Sequence, residues 1–350
     1  MQRKLLAAAL ASAFAAPAFA QVPPEITIYG RVNVSAERIE TDNSNTPGVP
    51  NESNYEFIDN SSRIGIRGKK ELTPGLNAIF QIESRVNLTD NGAGSTLSSR
   101  DSYAGLQGGF GTARLGRTIG PVYYATYDYI SMHNHDTGTS SDALLAGTVV
   151  GFQGFMNNTF WYTSPSFGGI TVDVAYSLLN ETRTAGGDQP RHIGLVGSYD
   201  RGPLHAALSY ANTQDSPALG AGSDATAWTI GGAYDFKFMV LGALWEMAET
   251  EAGGASVDSD YWRISAMFPV GQHEFHVNYG LVDADGDRGA QQWTLGYNYN
   301  ITKTTKVYAF YTMVDNDNAG NFVMGGSTST VLPATGAQYS SIAVGFRHNF

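Results

Sequence analysis

Apolar and polar side chains alternate with a period of two along most of this chain. In residues 76–83 the apolar positions are even-numbered, as at Leu76, Phe80 and Ile82, and the polar positions Gln81 and Glu83 are odd-numbered. The same alternation recurs in residues 170–177, 274–281 and 292–299. Consecutive side chains of a β-strand point to opposite faces, so each segment predicts a strand with one apolar and one polar face. Helical periodicity is hard to find after residue 20.

The connections between the predicted strands are alternately short and long. Tight turns fall at residues 72–75, 108–111, 166–169, 200–203 and 269–271, whereas long polar loops fall at 40–54, 90–98, 180–190, 213–224, 250–258, 283–289 and 315–337. The longest piece without a strand runs from about residue 120 to 156. Short turns at one end and long loops at the other are typical of an outer-membrane barrel. We therefore predict an all-β fold, a transmembrane antiparallel β-barrel of sixteen strands.

A soluble β-sandwich is the alternative, because alternation alone does not distinguish lipid from a packed core. The strands are about 10 residues long or more, as a tilted membrane crossing requires. Tyr and Trp near strand ends indicate interfacial girdles, and examples are Tyr29, Trp161, Tyr162, Trp262 and Tyr299. The polar faces carry many Arg, Asp, Glu and Asn, which a sandwich core could not bury unpaired. These features favour a barrel with a water-filled lumen.

The first residues predict export. Arg3 and Lys4 precede an apolar run over residues 5–16, and Ala18-Phe19-Ala20 follows. This pattern is typical of a secretory signal peptide over residues 1–20, cut before Gln21. Residues 21–350 then form one barrel domain, and no later run of eighteen apolar residues predicts a membrane helix.

Composition narrows the possible partners. Charged residues make up 15% of the chain, compared with roughly 25% in ordinary soluble domains. Without Arg3 and Lys4 the chain has 19 basic and 32 acidic residues, a net charge of −13. This balance argues against nucleic acid, whose phosphates would be repelled. The absence of Cys is compatible with export, and no cofactor is implied.

Several short segments, taken in order, resemble the general porins of Gram-negative bacteria, which are trimeric sixteen-stranded barrels of the outer membrane. The first strand of that family is similar to residues 26–33, its second hairpin to residues 62–68 and 72–83, the strands that enter its third loop to residues 100–106 and 110–117, and the strand and turn that leave it to residues 158–165 and 167–169. The C-terminal Phe350 shares one face with Ile342, Val344, Phe346 and His348. This end resembles the terminal signal that the barrel assembly machinery recognises.

The resemblance implies that the third loop folds inward and that its acidic residues face a ladder of basic residues. It places Arg31, Arg63 and Arg100 on that ladder, with Arg67, Arg85 and Arg117 as neighbours. Fixed opposite charges would orient water and select among ions. For any one arginine, the alternative is a solvated lumen residue or an ion pair that stiffens the wall.

The third loop departs from the family pattern. Its candidate acids are Asp128, Asp136 and Asp142, but residues 131–138 lack the Pro-Glu-Phe-Gly-Gly type of tip. His133 and His135 suggest either a pH-sensitive constriction or ordinary polar lining. Net charge favours cations and the arginine ladder favours anions, so the sequence leaves the sign of the selectivity open.

The resemblance further implies a homotrimer whose contact wall uses the first few strands and the last one. It also implies a passive channel for ions and small hydrophilic solutes, in contact with outer-membrane lipid and lipopolysaccharide. An outer-membrane enzyme and a passive adhesin are the alternatives, although the His residues stand near no nucleophile motif. Asp283, Asp285 and Asp287 resemble the start of a calcium loop, but Arg288 and Thr294 replace its required Gly and Glu.

Overall fold

The computed structural model describes residues 25–43, 47–89, 97–131, 137, 144, 155–179, 186–216, 218–323 and 331–350. Sixteen antiparallel strands form one closed sheet. They are β1 (Glu25–Asp42), β2 (Glu52–Asp59 and Arg63–Thr73), β3 (Leu76–Arg85), β4 (Ser102–Gly108), β5 (Gly111–Thr118), β6 (Met156–Thr163), β7 (Ile170–Leu178), β8 (Arg191–Arg201), β9 (Leu204–Gln214), β10 (Asp224–Asp235), β11 (Val240–Ala252), β12 (Ala255–Val270), β13 (His273–Ala284), β14 (Ala290–Asn300), β15 (Thr305–Asn316) and β16 (Gln338–Asn349). The predicted sixteen-stranded barrel is confirmed.

The first and last strands close the barrel. β1 pairs with β16 from Arg31 opposite Asn349 to Asp42 opposite Gln338. The C-terminal Phe350 extends this pairing through two backbone bonds with Gly30, of 3.0 and 3.1 Å. Closure leaves no free sheet edge at the seam, which a lipid-embedded sheet requires because its backbone groups have no water to bind.

β2 is interrupted at residues 60–62, yet both of its segments pair with β1. The Asn60 N–H donates to the Asn33 carbonyl at 2.8 Å, and the Asn33 N–H donates to Ser62 Oγ at 2.9 Å. Tyr308 of β15 completes this buried network, because its hydroxyl donates to Asn33 Oδ1 at 3.0 Å and accepts from Asn60 Nδ2 at 3.1 Å. At residues 60–62, hydrogen bonds from side chains therefore replace part of the backbone pairing between β1 and β2.

The burial of side chains in this sheet is the reverse of that in a soluble protein, since apolar side chains are exposed and polar side chains are buried. On β14, Leu295 is 58% exposed whereas Thr294 is 1% exposed, and on β7 Ile170 is exposed while Ser177 is buried. Apolar side chains of a soluble sandwich would lie inside. An exposed apolar outer surface around a polar interior is the arrangement of a membrane barrel. Among the helices that the structure describes, none is long and apolar enough to cross a bilayer.

Two short helices lie in the connection between β5 and β6, which is the third loop. They are α1 (Pro121–Ala125) and α2 (Tyr127–Ile130). α1 contacts β7, β8 and β9, and α2 contacts β10, β11 and β12. His205 of β9 fixes them, since its Nε2 lies 2.8 Å from the Ala125 carbonyl and its ring stacks on Tyr129 at 3.4 Å. The loop therefore folds into the lumen.

Two details of the strand predictions were wrong. Residues 250–258 form no long loop, because β11 and β12 continue to a tight turn at Gly253 and Gly254, whose φ angles of 60° and 83° suit glycine. Tyr29 and Trp161 do not join an outer aromatic girdle. Both face inward, since Tyr29 shares the inner face of β1 with Arg31 and Trp161 pairs with Arg114 across β5 and β6.

Candidate functional site

A row of three arginines crosses the inner face of β1, β2 and β3. Arg31 lies opposite Arg63, and Arg63 lies opposite Arg85. The alternation of β2 turns Arg63 inward because its neighbour Ile64 is exposed on the outer face. Like charges directly opposite each other on a sheet repel, so this row requires nearby acids and water.

Glu83 supplies one of those acids from β3, two residues before Arg85. Its Oε1 accepts a hydrogen bond from Arg100 Nε at 2.6 Å and lies 3.8 Å from Arg63 Nη1. Its Oε2 accepts from the Tyr29 hydroxyl at 2.9 Å. The Glu83 side chain is 9% exposed and both arginine side chains are 13% exposed, so the cluster is largely withdrawn from water. The carboxylate therefore offsets the repulsion between the two guanidinium groups.

Asp101 joins the wall to the third loop. Its carboxylate accepts from the Tyr124 hydroxyl of α1, and its Oδ1 also accepts from the Ile119 N–H at 3.1 Å. Burial, with the Asp101 charge as the next cause, raises the pKa of Tyr124 well above its ordinary value. The hydroxyl consequently stays protonated and donates to Asp101. The Tyr124 ring also stacks on Trp161, with 6.1 Å between ring centroids.

The other end of the third loop also contacts arginines. The guanidinium groups of Arg100 and Arg117 lie 5.1 and 5.4 Å from the centre of the Phe155 ring. Arg117 Nε donates to the Ser99 carbonyl at 3.1 Å, and its Nη1 donates to Asn157. These positions are within the range of cation–π contacts. Both ends of the loop therefore frame the arginine cluster.

A cavity of about 300 Å³ opens on the inner wall beside Glu83. Arg67 lies 5.2 Å from the centre of the Tyr29 ring. Arg114 lies 4.2 Å from Trp161 and 5.5 Å from Tyr103, and it donates to the Thr163 hydroxyl at 3.3 Å. The cavity is lined by Tyr29, Arg63, Arg67, Gln81, Glu83, Asp101, Tyr103, Arg114, Tyr124 and Trp161.

Comparison with known proteins identifies this architecture. The sequence model of the Gram-negative porin family matches residues 7–319. The chain is a Gram-negative porin. Outer membrane porin protein 32 of Delftia acidovorans is 29% identical over the full length of both chains, and an outer membrane porin protein of Bordetella pertussis is 26% identical over the full length of both. The anion-selective porin from Comamonas acidovorans superimposes with a TM-score of 0.81 at 25% identity, covering 94% of this chain and 100% of the other.

The porin family and the closed barrel place this protein in the outer membrane as a channel rather than an enzyme. The predicted resemblance to the Gram-negative porins is therefore confirmed.

All six predicted arginines lie on β1–β5 or directly before β4. Arg31, Arg63 and Arg85 form the row, Arg67 lines the cavity, and Arg100 and Arg117 flank Phe155. The structure brings Arg63 and Arg100 together at Glu83.

The predicted loop acids are placed differently from the arginines. Asp128 lies on α2, which packs against β10–β12, whereas the arginine row lies on β1–β3. Asp136 and Asp142 lie outside the described residues, as do His133 and His135. The acid that pairs with Arg63 and Arg100 is Glu83, on the barrel wall.

Sequence reasoning missed Glu83, Asp101, Arg114, Tyr124 and Trp161 as site residues. A signal existed for Arg114, which alternates with the apolar Ala113 and Leu115. A signal also existed for Glu83, which shares the polar face of Arg85. Tyr124 offered none, because its contact with Asp101 depends on how the loop folds.

The acidic motif at residues 283–287 lies in an external connection. Asp285 Oδ2 accepts from the Asp258 N–H at 3.1 Å, and Asp287 Oδ2 accepts from Asn318 Nδ2 at 2.6 Å. No group of three or more His, Cys, Asp or Glu within the described ranges could hold a metal ion. Burial raises the pKa of the neighbouring Asp317, and the charge of Asp287 adds to that effect.

Proposed function

We propose that this porin is a water-filled channel for the passive diffusion of ions and small hydrophilic solutes. Its constriction lies between the third loop and the arginine-bearing wall of β1–β5. The observation that carries the proposal is the position of α1 and α2 inside the lumen, with Tyr124 reaching Asp101 on that wall. Charged side chains at a narrow point govern which ions pass.

The proposed constriction prefers anions. Seven arginines line this part of the wall or border it, and they are Arg31, Arg63, Arg67, Arg85, Arg100, Arg114 and Arg117. Among the residues that the structure describes, Glu83 and Asp101 are the acids that face them here. A surplus of fixed positive charge raises the local concentration of anions. The Comamonas acidovorans porin, described as anion-selective, supports the same sign for this chain.

Reversal potentials test this proposal. Purified trimers or monomers in a planar lipid bilayer are placed in a tenfold KCl gradient, and the chloride-to-potassium permeability ratio is measured for wild type and Arg63→Ala. We expect a wild-type ratio above one and a lower ratio for the variant, because one wall charge is lost. Arg288→Ala, in an external turn, is the matched control and leaves the ratio unchanged. A cation-preferring wild type, or an unaltered Arg63→Ala ratio, contradicts the proposal.

We also propose a homotrimer that forms through the outer face around β1, β2 and β16. Tyr55 and Phe57 are 77% and 72% exposed on the first segment of β2. They border a groove of about 1130 Å³ that Val344 and Phe346 also line. Phe57→Asp would place a charge in this contact, so we expect monomers on native gels, whereas Phe268→Asp, away from the groove, leaves the trimer intact. A trimeric Phe57→Asp variant contradicts this contact surface.

Maturation and assembly complete the proposal. Residues 1–20 are removed before Gln21, and the resulting barrel is delivered to the assembly machinery through Phe350, whose side chain is exposed on the outer face. Its external acidic loops meet lipopolysaccharide. Deletion of Phe350 is expected to lower the folded amount in outer-membrane fractions, and N-terminal sequencing of wild type checks the cleavage site.

A further inference from the structure

The lining of the cavity beside Glu83 contains three arginines, Arg63, Arg67 and Arg114, and two acids, Glu83 and Asp101. Both acids of its lining already have donors, since Glu83 binds Tyr29 and Arg100 and Asp101 binds Tyr124. Arg67 and Arg114, in contrast, make no ion pair with these two acids. Within the described part of the chain, neither lies within ion-pair distance of a carboxylate.

Aromatic rings hold both of these guanidinium groups. Arg114 lies between Trp161 and Tyr103, and Arg67 lies over Tyr29. A ring contact occupies the face of a guanidinium and leaves N–H groups at its edge, which can donate to a carboxylate in a bidentate pair. Among the described residues Arg114 Nε has no hydrogen-bond partner, and it is buried from water. An incoming carboxylate therefore meets the Nη groups of Arg114, whose side chain lines the cavity.

The rings are fixed before any solute arrives. Trp161 Nε1 donates to Asp173 Oδ1 at 2.8 Å, and the Trp161 ring stacks on Tyr124 with an interplanar angle of 12°. A site that is already ordered loses little conformational freedom on binding. The cavity volume of about 300 Å³ is at the lower end of the range for small-molecule sites.

We propose that this cavity is a binding subsite for small aromatic carboxylates. The carboxylate is bound by the edges of Arg67 and Arg114, and the ring of the solute packs against the parts of Trp161 and Tyr103 that line the cavity. Inorganic anions and aliphatic carboxylates accept hydrogen bonds from the arginines but make no contact with the aromatic rings. They therefore bind more weakly. This inference rests on the proposed anion-conducting channel. It names one class of solute that the channel binds during passage.

Block of chloride current tests the subsite. Benzoate or acetate is added to one side of a bilayer containing wild-type channels in KCl, and the half-blocking concentration is measured for each. We expect benzoate to act at a lower concentration than acetate. Trp161→Leu is expected to raise the half-blocking concentration of benzoate about 2- to 10-fold, with a smaller change for acetate, which loses only the support that the ring gives to Arg114. Arg114→Gln is expected to raise both.

Matched controls separate the ring contact from general damage. Trp262→Leu removes a tryptophan from the outer face, and it leaves both values unchanged. Tyr103→Leu removes the second ring over Arg114 and provides an independent variant if Trp161→Leu does not fold. Equal wild-type values for benzoate and acetate, or conducting Trp161→Leu and Tyr103→Leu channels with unchanged benzoate block, overturn the subsite. A channel that still prefers chloride then leaves the proposed function standing, whereas a cation-preferring channel refutes that function itself.

Discussion

Neutralising Glu83 should make the channel more selective for anions. Glu83→Gln removes the charge that offsets Arg63 and Arg100 but retains a carbonyl oxygen that can accept from Tyr29 or Arg100. Two unit charges about 4 Å apart interact by about 1 kcal/mol in bulk water and about 4 kcal/mol at an effective dielectric of about 20. With a side chain that is 9% exposed, the interaction lies between these limits.

Even the lower limit corresponds to about a fivefold change in an equilibrium ratio. We therefore expect the chloride-to-potassium permeability ratio of Glu83→Gln to rise about fivefold or more. In a tenfold KCl gradient the reversal potential should move toward its limit of about 59 mV. Glu251→Gln, at the exposed loop end of β11, is the control and keeps the wild-type ratio. A folded Glu83→Gln channel with an unchanged ratio, or a shift toward potassium, would refute the reasoning.

Three further variants test other parts of the structure. His205→Ala removes the bond to the Ala125 carbonyl and should increase single-channel current noise, while the exposed His273→Ala should not. Tyr308→Phe removes the hydroxyl that donates to the buried Asn33 Oδ1, whereas Asn60 Nδ2 keeps Ser35 Oγ as an acceptor. It should lower the free energy of unfolding by about 1–3 kcal/mol, which urea titration in detergent measures. Burial raises the pKa of Asp317, so its ionised form costs folding free energy as pH rises through that pKa. Asp317→Asn should therefore unfold at a higher temperature than wild type at pH 7, and the difference should vanish below about pH 3.

The strand pattern was predictable because each face of the barrel has a single environment. Ile170 and Leu295 meet the apolar exterior, and Thr294 and Ser177 face the lumen, so polarity alternates wherever the chain crosses. The interruption of β2 at residues 60–62 was not predictable. It depends on the side-chain bonds of Asn33 and Tyr308, and these residues are distant along the chain.

The identity of the acids at the arginine cluster also depends on register. The resemblance to other porins implies acids on the third loop, and the alternation of β3 places Glu83 only on a polar face. Its contact with Arg100 arises because Arg100 binds the backbone of β3 at Glu83, with its N–H 3.1 Å from that carbonyl. A sequence gives the face of a strand residue, but the pairing of strands decides which charges meet.

The alternation of polar and apolar residues also does not show which inner-face side chains a solute can reach. Arg67 and Arg263 both alternate with apolar neighbours, and both therefore belong to inner faces by sequence alone. In the barrel, α2 packs against β12 and Arg263 is 1% exposed, with its Nη1 bound to Gln292 at 2.9 Å. Arg67 lies on β2, away from the strands β7–β12 that α1 and α2 contact, and it is exposed to the lumen. The described helices of the third loop thus cover the lining of β7–β12, and under the proposed function the arginines of β1–β5 act on a passing anion.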